Sequence, residues 1–297
     1  GAGALVHVER EVGGMIVSQM AFQTHRFDWA VAVGLRTAPE LRQRTRPRVR
    51  WASLDHCGDN LMFLLEDGGN VTKWWDLVTT LSAEALDFTL RLINTKTYVP
   101  IEPIGYPELD QLASMTMDAC RQKWFLPLGK RIVLFGPAAR PAALGWWERR
   151  VFDIVRYRRI VKDVRQSVDG LLLAKTRAKH RDPTWLSRYC DRIIGDEAFY
   201  PFTTLELLVA ADVYVGFVSA MAIEAAAVGL PQTHLHGWPP EQGEWPSYWP
   251  LKREFFVKGL WQSGLSRDEQ RRTCERWAGP LDGKASSRFL DLLESRC

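Results

Sequence analysis

The chain has 297 residues, of which 46% are hydrophobic and 25% charged, and it carries a formal net charge of +4. That length and apolar content fill one large core or two modest ones, and the charge content argues against wholesale disorder. The mild positive balance suits phosphorylated substrates or a membrane surface and does not call for nucleic acid.

No apolar run approaches the roughly 18 residues that a membrane-spanning helix needs. The opening Gly1-Ala2-Gly3-Ala4 lacks the charged segment and long apolar core of a leader. The expectation is a cytoplasmic protein, with peripheral contact at the inner membrane face as a further option. The five cysteines (Cys57, Cys120, Cys190, Cys274 and Cys297) are scattered, with no Cys-x-x-Cys, so they read as free thiols.

Short apolar runs in chain order predict buried parallel strands at Asp28–Val33, Val49–Leu54, Asp76–Thr79, Val99–Ile104, Lys130–Phe135, Gly170–Lys175 and Asp212–Phe217. Between them lie helical stretches. Ser82–Asn94 opens on Ser82 as an N-cap and sets Leu86, Leu90 and Ile93 at helical spacing. Trp147–Val168, Thr203–Ala211 and Ala220–Val228 follow, and Ser286–Ser295 closes the chain. The alternation implies an open, mostly parallel, doubly wound α/β sheet. Gly105-Tyr106-Pro107 interrupts it. The linker and first helix of a second lobe are read at Pro107–Leu128, and Trp238–Trp249, dense in Pro, Trp and Gly, reads as loop. The expected domains are therefore 1–110 and 111–297.

Two surface features have alternative readings. The stretch with Arg36, Arg42, Arg44, Arg46, Arg48 and Arg50 is a solvated loop or a patch for anionic groups. Trp146-Trp147 beside Arg149-Arg150 is core or an interfacial anchor.

Several clusters carry chemistry. Val213 to Pro231 reads as a buried strand, a turn with Gly216 and Ser219, and a helix that opens at Ala220 and ends at Gly229. Such a turn presents backbone N–H groups and the positive end of a helix at the edge where doubly wound sheets bind phosphates. Ser219 caps the helix or donates to a phosphate, and Glu224 lies one turn further in, within reach of a ribose. The alternative is an ordinary strand–helix unit with a capping serine. Lys175, Arg177, Lys179 and His180 follow the Gly170–Lys175 strand, where cations neutralise a leaving phosphate, or they form a basic surface loop. Asp55-His56-Cys57-Gly58-Asp59 follows the Val49–Leu54 strand. His56 there is placed as a general base, with Asp55 or Asp59 to orient it, or else is structural. His234 and His236 share a strand face, but no further ligand has metal-site spacing. The absence of a Walker-type loop and of Gly-x-Gly-x-x-Gly disfavours kinases and dinucleotide oxidoreductases.

At these residues the chain resembles GT-B transferases, most closely the CDP-glycerol glycerophosphotransferase family of teichoic acid and capsule synthesis. Gly105-Tyr106-Pro107-Glu108-Leu109-Asp110 looks like that family's Gly-Tyr-Pro-x-x-Asp. Asp212–Pro231 looks like its donor-site strand-turn-helix, and His56 with Gly58 like its His-Gly motif. Asp282-Gly283-Lys284-Ala285-Ser286-Ser287-Arg288 looks like its Asp-Gly-Lys-Ala-Ser-x-Arg. The matches keep family order. The chain departs at Arg177–Pro183, where the family has Arg-x-His-Pro, at Val218-Ser219, where it has two hydroxyl residues, and at Cys57, which interrupts His-Gly.

The resemblance implies two Rossmann-like domains facing a cleft, an acceptor-side domain that is shortened and a donor-side domain. It implies a transferase that moves glycerophosphate or a glycosyl group from a nucleotide-linked donor to a hydroxyl acceptor, a glycan or polymer. The expected catalytic residues are His56, His180 and Asp55. The expected donor-site residues are Lys175, Arg177, Lys179, Gly216, Ser219, Ala220 and Glu224. No metal or cofactor is expected. The alternatives are a nucleotide-sugar 2-epimerase on the same fold and a non-catalytic nucleotide- or glycan-binding protein.

Overall fold

The structure, a computed structural model, describes residues 28–35, 50–56, 58–93, 96–137, 154–176, 184–195, 203–217, 219–235, 249–260 and 264–296. Arg36–Arg48, Cys57, Trp146–Arg150, Arg177–Pro183, His236 and 238–248 lie outside them.

The first sheet contains β1 (Trp29–Val33), β2 (Arg50–Leu54), β3 (Leu77–Thr80) and β4 (Ile101–Pro103), in that spatial order and all parallel. Parallel neighbours need crossovers. Helix α1 (Asp59–Asp67), followed by a 3-10 segment, links β2 to β3, and α2 (Ala83–Leu92) links β3 to β4. Ser82 caps α2 as its sequence position predicts, its Oγ accepting the Ala85 N–H at 3.1 Å.

A 3-10 segment (Pro107–Ser114) and α3 (Met117–Lys123) lead to the second sheet. This sheet contains β5 (Ile132–Gly136), β6 (Leu171–Lys175), β7 (Arg192–Ile194), β8 (Val213–Gly216) and β9 (Gln232–His234), in the order β7-β6-β5-β8-β9 and again all parallel. From β5 the chain winds outward through α4 (Ile154–Ser167) to β6 and β7. It then returns through α5 (Thr203–Ala210) to β8 on the other side of β5, and through α6 (Ala220–Val228) to β9. The winding reverses between β5 and β8, which makes their carboxyl ends the topological switch point of a Rossmann sheet. The runs that became β1–β6 and β8 are visible as apolar segments. β7 and β9 are three residues each, and both have polar or half-exposed positions, so hydrophobic patterning passes over them.

Carboxylates fasten the amino ends of the strands. Asp212, just before β8, accepts the Ile132 N–H of β5 at 2.8 Å and the Arg121 guanidinium at 2.9 Å. Arg121 is buried and also donates to the carbonyls of Ala210 and Leu128, which ties α3 to this end of the sheet. Asp191 does the same for Leu172, and Asp76 for Trp51, each at 2.8 Å. Cys120, Cys190 and Cys274 are buried and form no disulfide, and burial pushes the thiols of Cys120 and Cys274 up from their ordinary range.

Beyond β9 come α7 (Trp249–Lys252), which runs into a π-helical segment, then α8 (Arg267–Ala278) and α9 (Ala285–Ser295). Ser266 and Glu269 close a reciprocal capping box on α8. Helix α8 packs on α6 and reaches back to α2, where Trp277 meets Phe88 edge-on and Arg276 pairs with Glu84. Helix α9 lies on the first sheet. Phe289 packs with Ala52, Leu77 and Ile104, Trp29 donates its indole N–H to the Leu293 carbonyl at 3.1 Å, and Arg296 pairs with Glu102. Residue 110 thus separates the two sheets in sequence, while the last helix of the second segment completes the layer over the first sheet.

The two crossings between the sheets form one joint. Asp110 receives the N–H groups of Ala285 and Ser286 at 2.9 and 2.7 Å, and so caps α9 from the other end of the chain. Arg288 donates to the Ile104 carbonyl at 2.6 Å and to both Asp282 oxygens. These are the residues of the Gly-Tyr-Pro-x-x-Asp and Asp-Gly-Lys-Ala-Ser-x-Arg segments, which here bind each other. Gly279 passes over Gly105 with φ +85°, and a Cβ on it would sit 2.4 Å from the Leu81 carbonyl oxygen and 2.7 Å from the Gly105 Cα. Gly279→Ala is therefore expected to lower stability by about 1–3 kcal/mol, through a left-handed conformation and a backbone clash. Chemical denaturation of the variant against the wild type measures this.

Candidate functional site

In a parallel sheet every strand ends on the same edge, so side chains just beyond the strand ends gather there. In the first sheet the residues after β2 are Asp55 and His56, followed by Gly58 in a left-handed conformation (φ +85°) that starts α1. His56 Nδ1 lies 2.6 Å from Glu108 Oε1, and its ring meets Tyr106 edge-on at 6.3 Å. Glu108 stands on the 3-10 segment that follows Tyr106-Pro107, so the Gly-Tyr-Pro turn delivers the carboxylate to the histidine. Burial disfavours the charged ring. The hydrogen bond and charge of Glu108, with Asp59 and Glu224 adding, outweigh burial and hold the pKa of His56 above its ordinary value.

The influence of Glu224 is informative, because it stands on α6 of the second sheet. Helix α6 also packs on the 3-10 segment that carries Glu108.

Asp55 is placed differently from an orienting carboxylate. It turns into the first lobe at 1% exposure, and its Oδ1 accepts the Asn60 N–H at 3.1 Å. Around it lie Ser53, Asn60, Thr79 and Thr80, all buried; Thr79 Oγ1 accepts the Asp55 N–H and donates to the Ser53 carbonyl. Burial pushes the Asp55 carboxyl up to about 7, with Asp59 adding, against the opposing pull of the Asn60 N–H, the Thr80 hydroxyl and His56. The hydrogen-bonded partner of His56 is Glu108, which the sequence placed only within the junction. The available signal was its position directly after the turn-forming Pro107.

In the second sheet the switch point is floored by glycine. Gly136 ends β5, Gly216 ends β8, and the two are paired in register. A Cβ on either would sit 2.7 or 2.3 Å from the Tyr214 hydroxyl oxygen, so the glycine pair makes room for a tyrosine that is otherwise fully buried. Ser219 caps α6, its Oγ accepting the Met221 N–H at 3.3 Å, and Ala220 is the first helical residue. The first-turn N–H groups of a helix have no intrahelical partners and carry its positive end. Lys175, at the end of β6, is 2% exposed and donates from Nζ to the Thr176 carbonyl at 2.8 Å. Arg177, Lys179 and His180 lie outside the described residues. The structure thus brings His56 and Glu108 together, packs the helix that carries Glu224 on the segment that carries Glu108, and places Gly216, Ser219 and Ala220 at the switch point. Among the described residues no group of three or more His, Cys, Asp and Glu side chains is arranged to hold a metal ion, and no helix is long and apolar enough to cross a membrane.

Two pH measurements follow. Glu108→Gln removes the charge that raises His56, so the imidazole should titrate closer to its ordinary value, as followed by NMR. Asp55 has a folded pKa above its unfolded one. It stabilises the fold fully below the unfolded value near 3.8, and that contribution is lost as pH rises towards about 7. Asp55→Asn keeps an acceptor for the Asn60 N–H and should flatten the fall in stability across that window, read by denaturation at each pH.

No family model matches the chain, and no curated protein matches it by sequence. Solved structures do. A variant of the wall teichoic acid polymerase TagF superposes with a TM-score of 0.53 at 16% identity, over 91% of this chain and 73% of that one. A UDP-N-acetylglucosamine 2-epimerase from Rickettsia bellii gives 0.52 at 14% identity, over 93% and 76%. A protein from Listeria monocytogenes described as the same epimerase gives 0.51 at 14% identity, over 91% and 73%. These neighbours share the GT-B architecture of two Rossmann-like sheets, and this chain has the GT-B fold.

Proposed function

We propose that the protein is a transferase that moves glycerophosphate or a glycosyl group from a nucleotide-linked donor to a hydroxyl of a glycan or polymer. The observation that carries this reading is the pairing of His56 with Glu108, on a segment against which the Ser219-capped helix α6 packs. The donor phosphates rest at the switch point, on the first turn of α6 between Gly216 and Ala220. Glu224, one turn in, reaches the ribose. Lys175, with Arg177, Lys179 and His180 that follow it in sequence, offsets the charge of the leaving group.

Glu108 holds the Nδ1 side of His56, which leaves Nε2 to take the proton from the acceptor hydroxyl. The acceptor oxygen then forms the new bond. With CDP-glycerol the bond forms at phosphorus, the phosphoanhydride breaks and CMP leaves. With a nucleotide sugar it forms at the anomeric carbon and a nucleoside diphosphate leaves. In either case the acceptor proton goes to His56 and the electron pair leaves with the nucleotide. The proposal requires no metal or other cofactor.

A second reading, a nucleotide-sugar 2-epimerase, draws on the three carboxylates, Glu108, Asp59 and Glu224, whose charge converges on His56. Moving a proton at carbon two uses acidic residues of this kind. Deuterium from solvent appearing at that carbon would favour it over transfer.

A thermal-shift panel of CDP-, UDP- and GDP-linked donors identifies the nucleotide, because a ligand of the folded state raises its stability. With that donor, His56→Ala should lower turnover by about a hundredfold or more while donor binding persists. Wild-type turnover should rise with pH through the elevated pKa of His56, and Glu108→Gln should move that rise to lower pH. Unchanged turnover in His56→Ala would remove the base from the mechanism.

A further inference from the structure

Helix α3 ends in an unusual way. Beyond Lys123 the Phe125 N–H returns to the Gln122 carbonyl at 3.1 Å and the Leu126 N–H to the Arg121 carbonyl at 2.8 Å. This double return sets the residue after the cap in the left-handed region, a place that favours glycine. Phe125 occupies it with φ +51° and is the one non-glycine residue of positive φ among the described residues. Its ring is 87% exposed, and Leu128, three residues on, is 68% exposed. A bulky side chain that opposes the local backbone and buries little adds little to folding.

Cations lie nearby in the chain and on the sheet edge. Lys123 at the end of α3 and Lys130 and Arg131 on the loop are exposed, and Arg192, exposed on the edge strand β7, donates to the Trp124 carbonyl at 2.6 Å. Of the neighbouring acids, Asp163 and Asp169 line a pocket with Arg131, while Glu206, Asp212 and Asp191 are engaged. Glu206 takes Lys123 Nζ at 2.5 Å and the Trp124 indole N–H at 2.9 Å. Asp212 and Asp191 each hold an arginine and a strand N–H. The loop adjoins the amino end of the second sheet, opposite the edge that carries Gly136 and Gly216.

We propose that the loop Trp124–Arg131 docks on an anionic lipid bilayer. Phe125 and Leu128 enter the boundary between headgroups and acyl chains, and Lys130, Arg131 and Arg192 meet the lipid phosphates. A stable protein interface buries about 800 Å² on each partner. A loop tip with two separate apolar side chains and cations nearby suits the soft, negatively charged surface of a membrane better.

The test is co-sedimentation of the full chain with vesicles of phosphatidylcholine alone and of phosphatidylcholine mixed with phosphatidylglycerol. The wild type should bind the mixed vesicles and lose binding as salt is raised. Phe125→Gly should bind about tenfold more weakly, for the loss of one buried aromatic ring, while its Tm stays the same or rises because glycine suits that backbone. Lys130→Glu should weaken binding as well. The proposal is overturned if the wild type ignores mixed vesicles or if Phe125→Gly binds them unchanged. It is also overturned if the wild type self-associates without lipid and Phe125→Gly abolishes this, which would assign the tip to a second copy of the chain.

Discussion

A carboxylate in the middle of the chain holds the beginning of its last helix. Asp110 takes two N–H groups that α9 cannot satisfy for itself. Arg288, one turn into that helix, returns a hydrogen bond to Ile104. Gly105 and Gly279 let the two crossing strands of backbone pass at a distance that no side chain would permit. Each parallel sheet alone would gather its strand ends along one edge, with nothing opposite. The joint sets the two edges towards each other, so that residues far apart in sequence share one cleft.

The histidine at that cleft shows how position becomes chemistry. His56 stands where a strand stops and a left-handed glycine turns the chain into a helix. The same Gly-Tyr-Pro turn that leads into the joint presents Glu108 to its ring. The joint and the brace of His56 are therefore neighbours along the chain: the residue after Pro107 holds the imidazole, and the residue two further on caps α9. A change that loosened one would be felt by the other.

Much of this was legible from residue patterning. The apolar runs located most of the strands, Ser82 and Ser219 were recognisable as caps, and the Gly216–Ser219 turn marked the switch point. What escaped had physical reasons. Strands β7 and β9 are too short and too polar to leave a hydrophobic signature. Asp55 looked available beside His56 in sequence, but the N–H of Asn60 and the hydroxyl of Thr79, 24 residues away along the chain, hold Asp55 inward. Glu108 is 52 residues from His56 along the chain, a distance that no local pattern bridges. The Asp-Gly-Lys-Ala-Ser-x-Arg segment was recognisable as a motif, yet only the folded chain shows that its partner is the Gly-Tyr-Pro-x-x-Asp segment.

The placement of α9 on the first sheet has a consequence for how the protein is made. Domains emerging from a ribosome ordinarily fold from the amino end first. Here the layer over β1–β4 includes Phe289, and Trp29 hydrogen-bonds to Leu293, so these strands gain this part of their cover only when α9 is present. Among the described residues the second sheet has its strands by residue 234. Of the two sheets, the one that comes first in sequence is thus the later to gain its full cover.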